Sequence, residues 1–131
     1  MRPIEFRIPG VPPSENDWRR SKRSHWRLRA VRHKAWHGYV GLFSPRPGAP
    51  GWPSGKPISP AIVTISFRLP YGGDADNRCK SVLDGIVKAG LIVDDRAPHL
   101  YELRLRARRG SPAETHVKIE EAKDGDSGAA S

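Results

Sequence analysis

The sequence predicts an α+β fold: one domain, with two main helices packed on a β-sheet. Three observations carry that expectation. Some segments alternate apolar and polar residues with a strand's period of two, others repeat apolar residues at steps of three and four as a helix does, and they follow one another in the order β-α-β-α-β-β. At 131 residues the chain can bury roughly two-thirds of the surface its unfolded form exposes, so one core suffices.

Ile4, Phe6 and Ile8 alternate, and Pro9 and Gly10 close that run. The chain therefore opens on a short strand that leads into the loop GVPPSEN, ending at Asn16. From Leu28 the apolar residues Leu28, Val31, Ala35, Tyr39 and Leu42 or Phe43 recur at helical spacing, with Arg29, Arg32, Lys34 and His37 on the other side. Residues 44–59, SPRPGAPGWPSGKPIS, hold too much proline and glycine for a hydrogen-bonded ladder and read as a long mobile loop. A domain boundary there would strand one β-strand and one helix upstream, too little to close a core.

AIVTISFRL alternates next, Val63, Ile65, Phe67 and Leu69 on one face and Thr64, Ser66 and Arg68 on a wet one. Cys79, Val82, Leu83, Ile86 and Val87 mark the second helix, stopped at Gly90, with Lys80 and Asp84 on its polar face. LYELRLRA and ETHVKIE flank RRGSPA and read as a C-terminal hairpin, with Leu103, Leu105, Val117 and Ile119 facing the core. The domain is expected over residues 1–121, with 122–131 as a disordered polar tail.

Charge narrows the function. The net charge of +9 is concentrated in residues 1–46, which hold 11 Lys/Arg against 3 acids and so suit a polyanion such as nucleic acid. Arg19, Arg20, Lys22, Arg23, Arg27 and Arg29 read as a phosphate-binding arm beside Asn16. A GC-rich genome gives the same arginine bias, and the competing reading is a solvated basic surface. Trp18 and Trp26 fit stacking on unpaired bases or packing, whereas Trp36 reads as a core or dimer residue. A single cysteine, Cys79 on an apolar face, excludes an internal disulfide and a cysteine-built zinc site, which fits a reducing cytoplasm. No apolar run approaches the roughly 18 residues of a membrane span.

Against this basic background, five carboxylates gather in one short run: Asp74, Asp76, Asp84, Asp94 and Asp95. Asp74 and Asp76 lie two apart in an extended connection and project the same way, with Asp76 or Asn77 expected to cap the second helix. A short extended return after that helix can bring Asp95 near them. Two carboxylates about 5 Å apart repel by roughly 3 kcal/mol at an effective dielectric near 20, so a cation or a proton must offset them. Hard oxygen donors suit Mg²⁺, Lys80 adds an ammonium one helical turn after Asp76, and the alternative is a helix cap and a turn with no metal. His33 and His37, four apart on the first helix, have a spacing that binds zinc, but no third ligand is evident and they read as surface histidines near phosphate.

Taken in order, PPSEN after the first strand and DADNRCKSVLDGIVKAGLIVDD resemble the RusA family of Holliday junction resolvases, phage and prophage endonucleases. The family pattern falls on Asp74, Asp76, Asn77, Lys80, Asp84, Ala89, Gly90, Asp94 and Asp95, and the likeness covers most of residues 1–121. What the resemblance implies is a mixed sheet, a homodimer on four-way DNA junctions, Mg²⁺ (with Mn²⁺ as a substitute), catalytic carboxylates at Asp74, Asp76 and Asp95, and a catalytic Lys80. Asn77, Asp84 and Asp94 become supporting residues. Where some relatives carry arginines before the first aspartate this chain has PYGG, and Pro98 replaces an apolar residue after Asp94–Asp95. The expected function is a structure-selective endonuclease of a bacterial or phage-infected cell. The alternatives are a basic DNA-binding protein without catalysis and a flap or general branched-DNA nuclease on the same scaffold.

Overall fold

The computed structural model describes residues 3–13 and 25–122, with side chains described from residue 30 onward in the second stretch. In chain order the elements are β1 (Ile4–Pro9), α1 (His25–Phe43), β2 (Ala61–Leu69), α2 (Cys79–Lys88), β3 (Leu100–Arg109) and β4 (Glu114–Glu121). The four strands form one mixed sheet in the order β1-β4-β2-β3. β4 is antiparallel to both β1 and β2, and β3 is parallel to β2. Parallel neighbours need a crossover, and α2 supplies it.

The core lies between the sheet and the two helices. Ile4 and Ile8 of β1, Val63, Ile65 and Phe67 of β2, and Val117 and Ile119 of β4 meet Trp36 and Val40 of α1 and Val82 and Ile86 of α2. The alternation read from β1, β2 and β4 thus selects the buried face correctly, because a pleated strand sends successive side chains to opposite sides. On the other face Thr64 and Ile62 are also buried, at 7% and 6% exposure, so the wet face expected for β2 is only partly wet. A central strand has its open face covered by its neighbours' side chains, which period alone does not show.

The expected C-terminal hairpin does not form. β3 and β4 lie on opposite sides of β2, and the loop between them steps over that strand's C-terminal end. The Gly110 amide donates to Leu69 O at 3.1 Å, and Arg68 Nε donates to Pro112 O at 2.7 Å, fixing the step. Alternation says which face of a strand is buried and nothing about which strand pairs with it.

The buried face of α1 also differs from the expectation. Trp36 and Val40 are buried, whereas Val31, Tyr39 and Leu42 of the predicted apolar stripe are 65%, 45% and 72% exposed. The face turned inward carries His33, Trp36, His37 and Val40, spaced three and four apart, and its two histidines disguised it as polar. α1 and α2 approach closely at Gly85, where a Cβ would lie 2.8 Å from Val40 Cγ2 and 3.3 Å from His37 Cα. Residues 44–59 form no helix or strand, as expected. They are nevertheless anchored: Trp52 is buried, its indole donates to Lys56 O at 3.1 Å, and the Ile58 amide donates to Leu91 O at 2.8 Å. Among the described residues no helix is long and apolar enough to cross a membrane.

Candidate functional site

β2 delivers the aspartate segment to its C-terminal end. The Gly72 amide donates to Leu69 O at 3.2 Å, and Gly72 and Gly73 take φ of 77° and 138°, conformations that residues with a Cβ avoid. A Cβ on Gly73 would also lie 3.1 Å from Arg78 Nη2. Arg78 Nη1 in turn donates to Pro12 O at 2.8 Å and ties the loop after β1 to this turn. The PYGG segment is thus a turn that two glycines make possible.

Asp74 and Asp76 follow, both exposed. Asn77 links them: its Nδ2 donates to Asp74 Oδ2 at 3.3 Å and its backbone N–H to Asp76 Oδ1 at 3.0 Å. Neither Asp76 nor Asn77 caps α2, as the sequence suggested; the N-cap is Arg78, which makes no side-chain cap bond. Asp76 turns its carboxylate to the adjacent amide instead. Each aspartate has a second oxygen outside these bonds, so the pair is a hard-oxygen donor set suited to a divalent cation such as Mg²⁺. Lys80 stands on the first turn of α2 with its side chain 69% exposed and its Nζ 4.0 Å from Asp84 Oδ2.

Asp94 and Asp95 are not gathered with that pair. They precede β3, whose first residue, Leu100, is in register with Ala61 at the N-terminal end of β2, whereas Asp74 and Asp76 follow the C-terminal end. α2, with a rise of about 15 Å over its length, separates the two pairs along the chain. Asp95 therefore does not join Asp74 and Asp76 at ligand distance. Asp94 bonds to its own neighbour in the loop before β3: its carboxyl is held below the usual range first by a hydrogen bond shared with the Asp95 side chain, then by the Asp95 amide, which donates to Asp94 Oδ1 at 2.7 Å.

Asp84 lies on the side of α2 that faces α1. His33 Nε2 is 2.9 Å from Asp84 Oδ2, and His33 Nδ1 is 2.7 Å from Ser81 Oγ. His37 packs edge-on against His33, ring centroids 4.5 Å apart, and neither of its ring nitrogens, both buried, has a hydrogen-bond partner. Its basicity is lowered, first by burial and then by His33, with Lys88 adding to the effect and Asp84 opposing it. Among the described residues His33, His37 and Asp84 are the trio of potential ligands whose atoms all lie within 4.8 Å of one another. The sequence showed the two histidines but placed Asp84 with Lys80 on the polar face of the second helix, so the third group was missed.

A second surface was also missed. On the sheet face away from the helices, Arg7, Arg68, Arg106, Arg108 and His116 line a 440 Å³ groove with Glu114, which pairs with Arg7 at 2.8 Å and Arg68 at 3.3 Å. The register aligns Arg7, His116, Ser66 and Arg106 in one row across all four strands. The alternation of RLRARR was the signal in the sequence; only strand order could gather it with Arg7 and Arg68. Of the expected nucleic-acid-binding residues, Asn16, Arg19, Arg20, Lys22 and Arg23 lie outside the described residues, and Arg27 and Arg29 lie on α1 with undescribed side chains. Comparison with protein-family models and with curated proteins finds no match.

Proposed function

We propose that this chain is a Mg²⁺-dependent endonuclease that cuts branched DNA of the four-way junction type and acts as a homodimer. The observation that carries the reading is the exposed Asp74–Asn77–Asp76 constellation at the end of β2, with the Lys80 ammonium on the adjoining helical turn. The resemblance of residues 74–95 to the RusA pattern supports it. Asp74 and Asp76 would hold the ion; Asp95, the third ligand that the resemblance implies, stands at the other end of β2 and is left out of the set. Bound Mg²⁺ supplies a Lewis acid for a phosphodiester and lowers the pKa of water. Asn77 orients the two carboxylates, and Lys80 offers positive charge where a phosphate gains negative charge in the transition state.

The arginines of the open sheet face support a nucleic-acid partner, because contacts to phosphate set the position of a duplex on a protein. The exposed stripe Val31, Tyr39 and Leu42 on α1 supports self-association, which in a two-fold dimer presents two identical sites to the two strands of a junction. A second reading, a DNA-binding protein without catalysis, is favoured by the groove alone, which needs no aspartates.

Labelled four-way junction, flap, duplex and single strand, each incubated with Mg²⁺ or with EDTA, separate the two. Paired nicks in the junction that require Mg²⁺ and vanish in Asp76→Asn, with junction binding retained, are the expected result. Binding without cleavage by the wild-type chain establishes the second reading, and equal cutting by Asp74→Asn and Asp76→Asn removes the aspartates from the site.

A further inference from the structure

The geometry points to a Zn²⁺ site formed by His33, His37 and Asp84 between α1 and α2, separate from the Asp74–Asp76 segment. Two imidazoles and a carboxylate are the donor set that favours a borderline ion such as Zn²⁺ over Mg²⁺, which takes oxygen ligands. Their ligand atoms already lie within 4.8 Å of one another. Zn–N and Zn–O bonds of about 2.0–2.1 Å place tetrahedral ligands about 3.4 Å apart, so the widest gap closes by small side-chain rotations.

The surroundings agree with that assignment in three ways. A ligating histidine usually donates its other ring N–H to a neighbour that fixes its tautomer, and His33, with Nε2 toward Asp84, has Nδ1 2.7 Å from Ser81 Oγ. His37 buries both ring nitrogens without a partner, a cost that a metal bond removes. Gly85 permits the approach that sets His37 beside Asp84, since a Cβ there would meet Val40 Cγ2 at 2.8 Å. Without metal, one proton lies between His33 Nε2 and Asp84 Oδ2. For neutral His33, ligation moves the ring proton from Nε2 to Nδ1, where it is donated to Ser81 Oγ. Three protein ligands leave one position for water, and the bound ion pins α1 to α2 one turn from Lys80.

The test uses the full chain stripped with EDTA and titrated with Zn²⁺ in excess Mg²⁺, so that the aspartate segment does not compete. One Zn²⁺ per chain is expected, and Co²⁺ in its place should give the visible bands of a four-coordinate ion. His33→Gln, His37→Gln and Asp84→Asn should each weaken Zn²⁺ binding by more than about tenfold and abolish those bands. Asp74→Asn and Asp76→Asn should change neither, which keeps the result independent of nuclease activity. A measurement without variants guards against misfolding: the ¹⁵N shifts of the His33 ring should report the tautomer change on Zn²⁺ addition. Absence of Zn²⁺ binding, unchanged histidine shifts, or full affinity in all three ligand variants would overturn the assignment.

Discussion

Gly85→Ala tests the packing that brings α1 and α2 together. In an isolated helix the change would stabilise by about 1 kcal/mol, because glycine gives up more backbone freedom than alanine. Here the added Cβ would sit 2.8 and 2.9 Å from Val40 Cγ2 and Cβ, and 3.3 Å from His37 Cα. Carbon atoms prefer separations of about 3.5–4.0 Å, so the helices must part. Val40 is fully buried and cannot swing aside. Overpacking of this kind costs up to about 3 kcal/mol, which leaves a net loss of about 2 kcal/mol, or roughly 8 °C in Tm for a chain of this size. Gly38→Ala is the control, since a Cβ there meets nothing within 4 Å. It lies inside α1 and should gain about 1 kcal/mol. Urea and thermal unfolding of both variants should therefore differ by about 3 kcal/mol with opposite signs. Adding Val40→Ala to Gly85→Ala should recover part of the loss beyond additivity. A Gly85→Ala protein as stable as Gly38→Ala would refute the close approach.

Four further outcomes follow from the same geometry. Asp74→Asn and Asp76→Asn should each abolish cleavage while junction affinity holds or rises, whereas Asp95→Asn, at the other end of β2, should leave turnover intact; loss of cleavage in Asp95→Asn would refute a site confined to the Asp74–Asp76 end. Lys80→Ala should lower kcat far more than affinity, and an equal fall in both would make Lys80 a binding residue only. Removing Arg106 and Arg108 together should flatten the log–log salt dependence of DNA binding by about 1.8, and an unchanged slope would move the DNA surface to the arginines of residues 19–29. His37 is less basic folded than its ordinary value of 6.5, so the unfolded chain binds more protons below that pH; stability is complete above it and falls as pH drops. Urea midpoints measured against pH should show that fall more steeply in the wild type than in His37→Gln, and parallel curves would exclude His37 as its source.

The sequence by itself determined the local structure. Val63, Ile65 and Phe67 of β2, Val82, Leu83 and Ile86 of α2, and the stop at Gly90 were legible because strand period, helical spacing and glycine's tolerance of positive φ act within a few residues. The places of Asp74 and Asp76 between β2 and α2, and of Lys80 on α2, were legible for the same reason, but the cap expected at Asp76 or Asn77 falls on Arg78. Tertiary structure alone decided what lies far apart in the chain. It placed β4 rather than β3 beside β1, turned His33 and His37 inward in place of Val31 and Leu42, set Asp84 against them, and aligned Arg7 with Arg106 across the sheet. It also put Asp95 at the other end of β2 from Asp74. Periodicity fixes which residues share a face, but a face is buried or exposed only through the partner it meets. For α1 that partner is α2, whose Gly85 admits the inner face of α1 at a distance no local pattern records.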